Sequence, residues 1–139
     1  MRSRVLINLD LTFNQIGSEG AFAISLIIKE NTKLKFLKLR MNKIDDVNGA
    51  KILKSLGKNE NLEYLDLSSN DLANLSAQGL TGALKLNKSI KSLDLSNSSM
   101  IMTNELKAAI EMSPSLINID LRFTKVSLGM LSVLIKFYR

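Results

Sequence analysis

Residues 62–70 run Leu62-Glu63-Tyr64-Leu65-Asp66-Leu67-Ser68-Ser69-Asn70, with leucine at the first, fourth and sixth places and asparagine at the ninth. Side chains alternate between the two faces of an extended chain, so Leu65 and Leu67 point one way while Tyr64, Asp66 and Ser68 point the other. The same apolar spacing recurs upstream at Leu6/Leu9/Leu11 and Leu34/Leu37/Leu39, and downstream at Ile90/Leu93/Leu95 and Leu116/Ile119/Leu121. Successive copies start 28, 28, 28 and 26 residues apart. Asn14 and Asn42 occupy the place of Asn70, and two residues later each copy has an apolar side chain, Ile16, Ile44, Leu72, Met100 or Val126. The second half of each unit brings an i, i+4 apolar pair, Ile24/Ile28, Ile52/Leu56, Leu80/Leu84 and Leu106/Ile110. Such pairs share one face of a helix. Asn31, Asn59, Asn87 or Ser113 then stands three residues before the next strand, and asparagine tolerates the left-handed conformation that closes helices. Each unit is therefore strand, turn, helix, turn.

Units of this size bury their apolar faces only by stacking on one another, which predicts an α/β solenoid with parallel strands on the concave face and helices on the convex face. The pattern L-x-x-L-x-L-x-x-N at 28 residues resembles the leucine-rich repeat family, and the long helical half resembles its ribonuclease-inhibitor-like subclass. About five repeats, near 5–33, 34–61, 62–89, 90–115 and 116–139, make residues 1–139 one domain. The resemblance implies that Asn14, Asn42 and Asn70 form a structural ladder bonding the backbone of successive turns. Ser98, with Asn97 displaced by one, and Thr124 replace that asparagine in the last two units, so those turns should be looser or rearranged. The apolar stretch 128–138 is expected to cap the C-terminal turn. No helix precedes Leu6 to cover the other end, so a partner or further repeats of a longer solenoid are expected there.

Composition narrows the chemistry. The 139 residues include no Cys, His or Trp and one Pro, with 19 Lys+Arg against 13 Asp+Glu for a formal charge of +6. Without Cys or His there is no disulfide framework, no thiolate nucleophile, no Cys-ligated zinc or iron–sulfur centre and no imidazole base. No run approaches the roughly 18 apolar residues of a membrane span, and the N-terminus lacks a signal-peptide pattern. The chain reads as soluble and intracellular, with no membrane insertion.

Outward-facing strand positions fall into columns. The third positions are Asn8, Phe36, Tyr64, Ser92 and Asn118; the fifth are Asp10, Lys38, Asp66, Asp94 and Asp120; the seventh are Thr12, Arg40, Ser68, Ser96 and Arg122. Adjacent strands lie about 4.8 Å apart, which sets Phe36 beside Tyr64 and aligns Asp66, Asp94 and Asp120. Aromatic and Arg side chains dominate interface energetics, so Phe36, Lys38, Arg40, Tyr64, Asp66, Asp94, Asp120 and Arg122 are the candidate partner-binding residues. Lateral packing is the other reading of the aromatic pair. An open carboxylate row lacks the enclosed pocket that catalysis needs, and no catalytic residue, metal site or cofactor is expected. The strand segments carry five basic and five acidic residues, which places the whole +6 on helices, loops and the N-terminus. Scattered lysines such as Lys51, Lys54, Lys58, Lys85 and Lys88, without interleaved aromatics, do not make a specific nucleic-acid site. Gly20 and Gly49 are expected where a helix starts close to its neighbour, and Met100, Met102 and Met112 as core filling.

A finer resemblance rests on the phrases between the leucines. The run Leu37-Lys38-Leu39-Arg40-Met41-Asn42-Lys43-Ile44-Asp45-Asp46, and the closing Ile119-Asp120-Leu121-Arg122-Phe123-Thr124-Lys125-Val126, resemble the final repeats of the T-complex-associated testis-expressed family, subunit 5 of the dynein regulatory complex, over residues 34–139. That resemblance implies a non-enzymatic protein–protein interaction scaffold within a multi-subunit complex, in the cytoplasm and cytoskeleton, specifically the nexin link of the ciliary or flagellar axoneme. That family carries further sequence before its terminal repeats. A cytosolic leucine-rich repeat regulator or inhibitor of an enzyme or GTPase is the alternative.

Overall fold

The computed structural model describes residues 5–30 and 33–125. Five three-residue strands, β1 (Asn8–Asp10), β2 (Phe36–Lys38), β3 (Tyr64–Asp66), β4 (Ser92–Asp94) and β5 (Asn118–Asp120), form one parallel sheet in chain order. Parallel neighbours need a crossover, supplied by α1 (Gly17–Glu30), α2 (Asp46–Leu56), α3 (Asn74–Leu84) and α4 (Asn104–Met112). The register sets Leu9, Leu37, Leu65, Leu93 and Ile119 side by side. The α/β solenoid of about five repeats read from the sequence is the architecture observed.

The core lies between sheet and helices. Leu37, Leu39, Leu65 and Leu67 have no solvent exposure, and the paired helix residues Ile24/Ile28, Ile52/Leu56, Leu80/Leu84 and Leu106/Ile110 close over them. Burial thins at the ends. Leu6 is 37% exposed where its counterparts Leu34 and Leu62 are 1% exposed, and Leu9, Leu11 and Ile16 are only half-buried, as are Ile119 and Leu121. The apolar stretch 128–138 and the positions Val126 and Asn31 lie outside the described residues.

Close helix packing depends on two glycines. A Cβ on Gly49 would lie 2.4 Å from Leu72 Cδ2 and 2.6 Å from Ser76 Oγ, and one on Gly79 would meet the Ala50 carbonyl oxygen at 2.8 Å. Gly49 matches its expected place. Gly20 does not, since its nearest neighbour is Ile16 in its own turn, while Gly79 is the α2–α3 contact that the sequence left unremarked. Met100 and Met102 fill core space, but Met112 is 81% exposed because it ends α4 on the solvent side.

Each strand exit has a residue in the left-handed region, Phe13, Met41, Ser69, Asn97 or Phe123, with φ between 53° and 57°, and repeat 2 adds Lys43 at 55°. Asn97 is therefore no misplaced ladder residue; it fills the left-handed position that asparagine adopts more readily than most side chains. The ladder follows it. Asn70 Nδ2 donates to the carbonyls of Leu39 and Leu67, and its Oδ1 accepts from the N–H groups of Asn42 and Ile44, tying repeat 3 to repeat 2. Asn42 Nδ2 donates to Leu11 and Leu39 carbonyls, but its buried Oδ1 has no partner among the described residues. Asn14 is exposed and bonds only its own turn. Ser98 and Thr124 keep the bond to the carbonyl three residues back, at 2.8 and 2.6 Å. A hydroxyl is too short to reach the preceding repeat, so the last turns lose these side-chain bonds and keep backbone ones, such as Ser99 N–H to Leu72 O and Lys125 N–H to Met100 O.

A second ladder stands at the strand entrances, before β3 and β4. Asn59 and Asn87 are not in the left-handed conformation expected of them. Both are buried rungs instead. Asn87 Nδ2 donates to the carbonyls of Leu56 and Asn59, while its Oδ1 accepts from Ser89 and Ile90 N–H; Asn59 reaches back to the Ile28 carbonyl and caps Asn61 and Leu62. Ser113 retains only a 3.4 Å contact from Leu116 N–H.

A candidate interaction surface

The three-residue strands set the outward columns in register: Asn8, Phe36, Tyr64, Ser92 and Asn118 in one, and Asp10, Lys38, Asp66, Asp94 and Asp120 in the other. Phe36, 42% exposed, packs on Tyr64 with ring centroids 6.4 Å apart and planes tilted by 35°. The pair is thus both a lateral contact and an exposed apolar step. Burial, followed by the charges of Asp66, Asp94, Asp10 and Asp120, raises the Tyr64 phenol and keeps it protonated.

The aspartate row is engaged inwards. Asp66 Oδ1 accepts from Ser68 N–H and Oγ at 2.9 and 2.6 Å, Asp94 does the same with Ser96 at 3.0 and 2.7 Å, and Asp10 accepts from Thr12 N–H. These are short loops in which a carboxylate satisfies the N–H two residues on. Asp66 is buried as a result. Asp120 both caps Arg122 N–H and grips the Arg122 guanidinium, through Nε at 3.0 Å and Nη2 at 2.5 Å. That fork holds the Asp120 carboxyl below the usual carboxylate range and raises Arg122. Lys38 reaches Asp10 at 3.4 Å. Arg40 is exposed and, among the described residues, has no ion pair or hydrogen bond to its guanidinium.

At the strand entrances Glu63 joins Lys35 and Lys91, each at 2.7 Å. Its carboxyl pKa is held at about 2 by those two ammonium groups. The triad borders a cavity of about 190 Å³ shared with Glu60, Lys88 and Ser89, smaller than ordinary ligand pockets. Lys51, Lys54, Lys58 and Lys85 are exposed on the helix side. Among the described residues no group of three or more acidic side chains is placed to hold a metal ion, and no helix is long and apolar enough to cross a membrane.

Asp46 was not a candidate, yet its carboxylate takes the N–H groups of Ala73, Leu75 and Ser76 at 2.8–2.9 Å. It thereby caps α3, whose own N-cap, Ala73, supplies no side-chain acceptor. Partial burial pushes the Asp46 carboxyl up, but the donors on Ser76, Leu75 and Ala73 outweigh it and leave it lowered. The 28-residue period offered a signal for Lys35–Glu63–Lys91, which occupy one column. No comparable signal existed for Asp46.

A family model described as Leucine Rich repeat matches residues 2–25, 30–53 and 58–80. No curated protein resembles the chain closely enough to count as a match. Among solved structures, the one titled "Leiomodin-1 Actin-Binding Site 2 (ABS2)" superposes with a TM-score of 0.82 at 17% identity, over 94% of this chain and 77% of that one. The Caenorhabditis elegans tropomodulin C-terminal domain gives 0.81 at 17% identity, over 95% and 81%. At this identity the likeness is one of fold.

Proposed function

This chain belongs to the leucine-rich repeat family, and from that premise we propose that it is a non-enzymatic protein–protein interaction scaffold whose concave face holds a partner. The observation that carries this reading is the Phe36–Tyr64 step on the same outward face as Arg40, which has no ion pair among the described residues, on strands tied across repeats by two asparagine ladders. A rigid surface of this kind loses little ordering entropy on binding. Five strands span about 20 Å, so a partner at the usual 800 Å² per side, roughly, uses most of the face and an edge. Phe36, Lys38, Arg40, Tyr64, Asp120 and Arg122 form the proposed contact set, with Asp66 and Asp94 shaping the strand exits beneath it. The half-open end at Leu6, Leu9 and Leu11 is a second contact in this reading, covered by a partner or by further repeats.

Cross-linking mass spectrometry on the native complex tests the reading. Cross-links should fall on Lys35, Lys38 and Lys91, and Arg40→Ala or Tyr64→Ala should weaken capture of the identified partner by about 2 kcal/mol. Cross-links confined to the helix-side lysines, with both variants binding normally, would sink it.

At finer grain we assign the chain to the cytoskeleton, as a structural subunit of the ciliary axoneme in the nexin–dynein regulatory complex. Support comes from the likeness of residues 34–139 to the last repeats of that complex's fifth subunit. Retention on detergent-extracted axonemes through high salt is the expected result, and release at moderate salt counts against it. A second cytoskeletal reading, contact with actin, is favoured by the fold shared with a leiomodin-1 domain titled as an actin-binding site; co-sedimentation with actin filaments separates the two. A soluble one-to-one complex with an enzyme or GTPase would instead mark a regulator.

A further inference from the structure

The fifth strand position holds aspartate in four repeats, and Asp10, Asp66, Asp94 and Asp120 each accept the N–H two residues on, from Thr12, Ser68, Ser96 and Arg122, at 2.9–3.0 Å. Repeat 2 has Lys38 there instead. Arg40 N–H, in the place of those four donors, therefore has no acceptor among the described residues, and neither does its guanidinium. Arg122 shows what the same side chain does when the carboxylate is present: Asp120 takes its backbone N–H and its guanidinium together. The nearest acidic groups of the same column are engaged elsewhere, Asp10 with Lys38 and Thr12, and Asp66 with Ser68. Repeat 2 thus presents two donors for a carboxylate that the described residues do not supply, on the same outward face as the exposed Phe36 ring.

We propose that a partner's aspartate or glutamate side chain fills this vacant carboxylate position, bonded by Arg40 through its guanidinium and N–H, while the neighbouring partner residue lays an aromatic or branched apolar side chain on Phe36 and Tyr64. The partner is accordingly an acidic–apolar segment of a protein. Guanidinium and carboxylate match in a planar fork, and charge-assisted bonds of this kind are the stronger ones. This inference rests on the concave-face reading and sharpens it by naming the partner's chemistry.

Nitrogen-15 NMR titration of the full chain with N-acetyl-Asp-Phe-amide and with its Asn counterpart tests it. The aspartyl peptide should shift the Arg40 backbone and Nε signals with those of Phe36 and Tyr64, and bind about tenfold more tightly than the asparaginyl one. Lys38→Asp puts a carboxylate back into the position from within. It should cost the aspartyl peptide about tenfold in affinity while the melting temperature holds or rises. Lys38→Ala, which removes the ammonium without filling the position, should keep most of the binding, and Arg40→Gln should lose it. Equal response to the two peptides, or binding indifferent to Lys38→Asp, overturns the inference; if Phe36 and Tyr64 still shift in that case, docking on the concave face stands without it. A short single-stranded oligonucleotide that shifts Arg40 and displaces the peptide also overturns it, in favour of phosphate.

Discussion

Replacing Asn70 by alanine isolates the cross-repeat ladder. The side chain is 4% exposed and has four short bonds: Nδ2 donates to Leu39 and Leu67 carbonyls at 2.9 Å, and Oδ1 accepts from Asn42 and Ile44 N–H at 3.0 Å. Leu39 O keeps a second donor, Asn42 Nδ2 at 3.0 Å. Three buried groups are then left unpaired: Asn42 N–H, Ile44 N–H and Leu67 O. Each costs about 1–3 kcal/mol, so the loss is about 3 kcal/mol even if water re-solvates part of the site, a large share of a typical 5–15 kcal/mol, roughly, of total stability. Asn42→Ala should cost only about 1 kcal/mol, because Leu11 O and Leu39 O retain Asn14 and Asn70 as donors and the Asn42 Oδ1 has no bond to lose. Asn14→Ala, at an exposed site, should fall within about 0.5 kcal/mol. Ser98→Asn should act oppositely. Asn70 N–H and Leu72 N–H have no acceptor among the described residues, and a carboxamide there should gain about 1 kcal/mol. Urea unfolding followed by circular dichroism reads all four, with the slope unchanged if only stability has moved. Equal losses at Asn14 and Asn70, or a loss under about 1 kcal/mol at Asn70, would refute the ladder as the tie between repeats.

Three further outcomes follow from the packing and the charges. Asp46→Ala should remove the cap of α3, cost about 1–2 kcal/mol and speed amide exchange at Leu75 and Ser76 ahead of the rest of that helix. Gly79→Ala drives a Cβ to 2.8 Å from the Ala50 carbonyl oxygen and should cost about 1–3 kcal/mol; Gly82→Ala, with nothing within 4 Å, should instead gain up to about 1 kcal/mol in the same unfolding assay. Acid should weaken the fold. Glu63 is lowered from 4.5 to about 2 by Lys35 and Lys91, so its contribution is whole above the unfolded value and drains away as pH falls from about 4.5 to about 2. Asp46 and Asp120, also lowered, act in the same direction. Urea midpoints measured down this range should fall less steeply for Glu63→Gln.

The spacing of Leu62, Leu65 and Leu67 and its recurrence every 28 residues were enough for the strand–helix unit, the register and the column that joins Phe36 to Tyr64. Those follow from periodicity, which needs no knowledge of distant contacts. Less legible was how the polar columns are used. Asp66 and Asp94 were countable as a row of carboxylates, but not as local caps, each turned back to the serine two residues away. Asn59 and Asn87 invited a helix-closing reading from propensity alone. Their partners, Ile28 and Leu56, lie 31 residues away, and such separations only stacking brings within bonding distance.

Local pattern and period settle what kind of object this protein is, because an apolar stripe at strand or helix spacing has few ways to be buried. Which polar side chains are spent on the fold and which remain for a partner is a matter of three-dimensional accounting. Arg40 and Arg122 are alike in the sequence, at the same place in their repeats. Folding pairs Arg122 with Asp120 and leaves Arg40 open, because the residue two places before it is lysine rather than aspartate and the carboxylates in the same column are already bound.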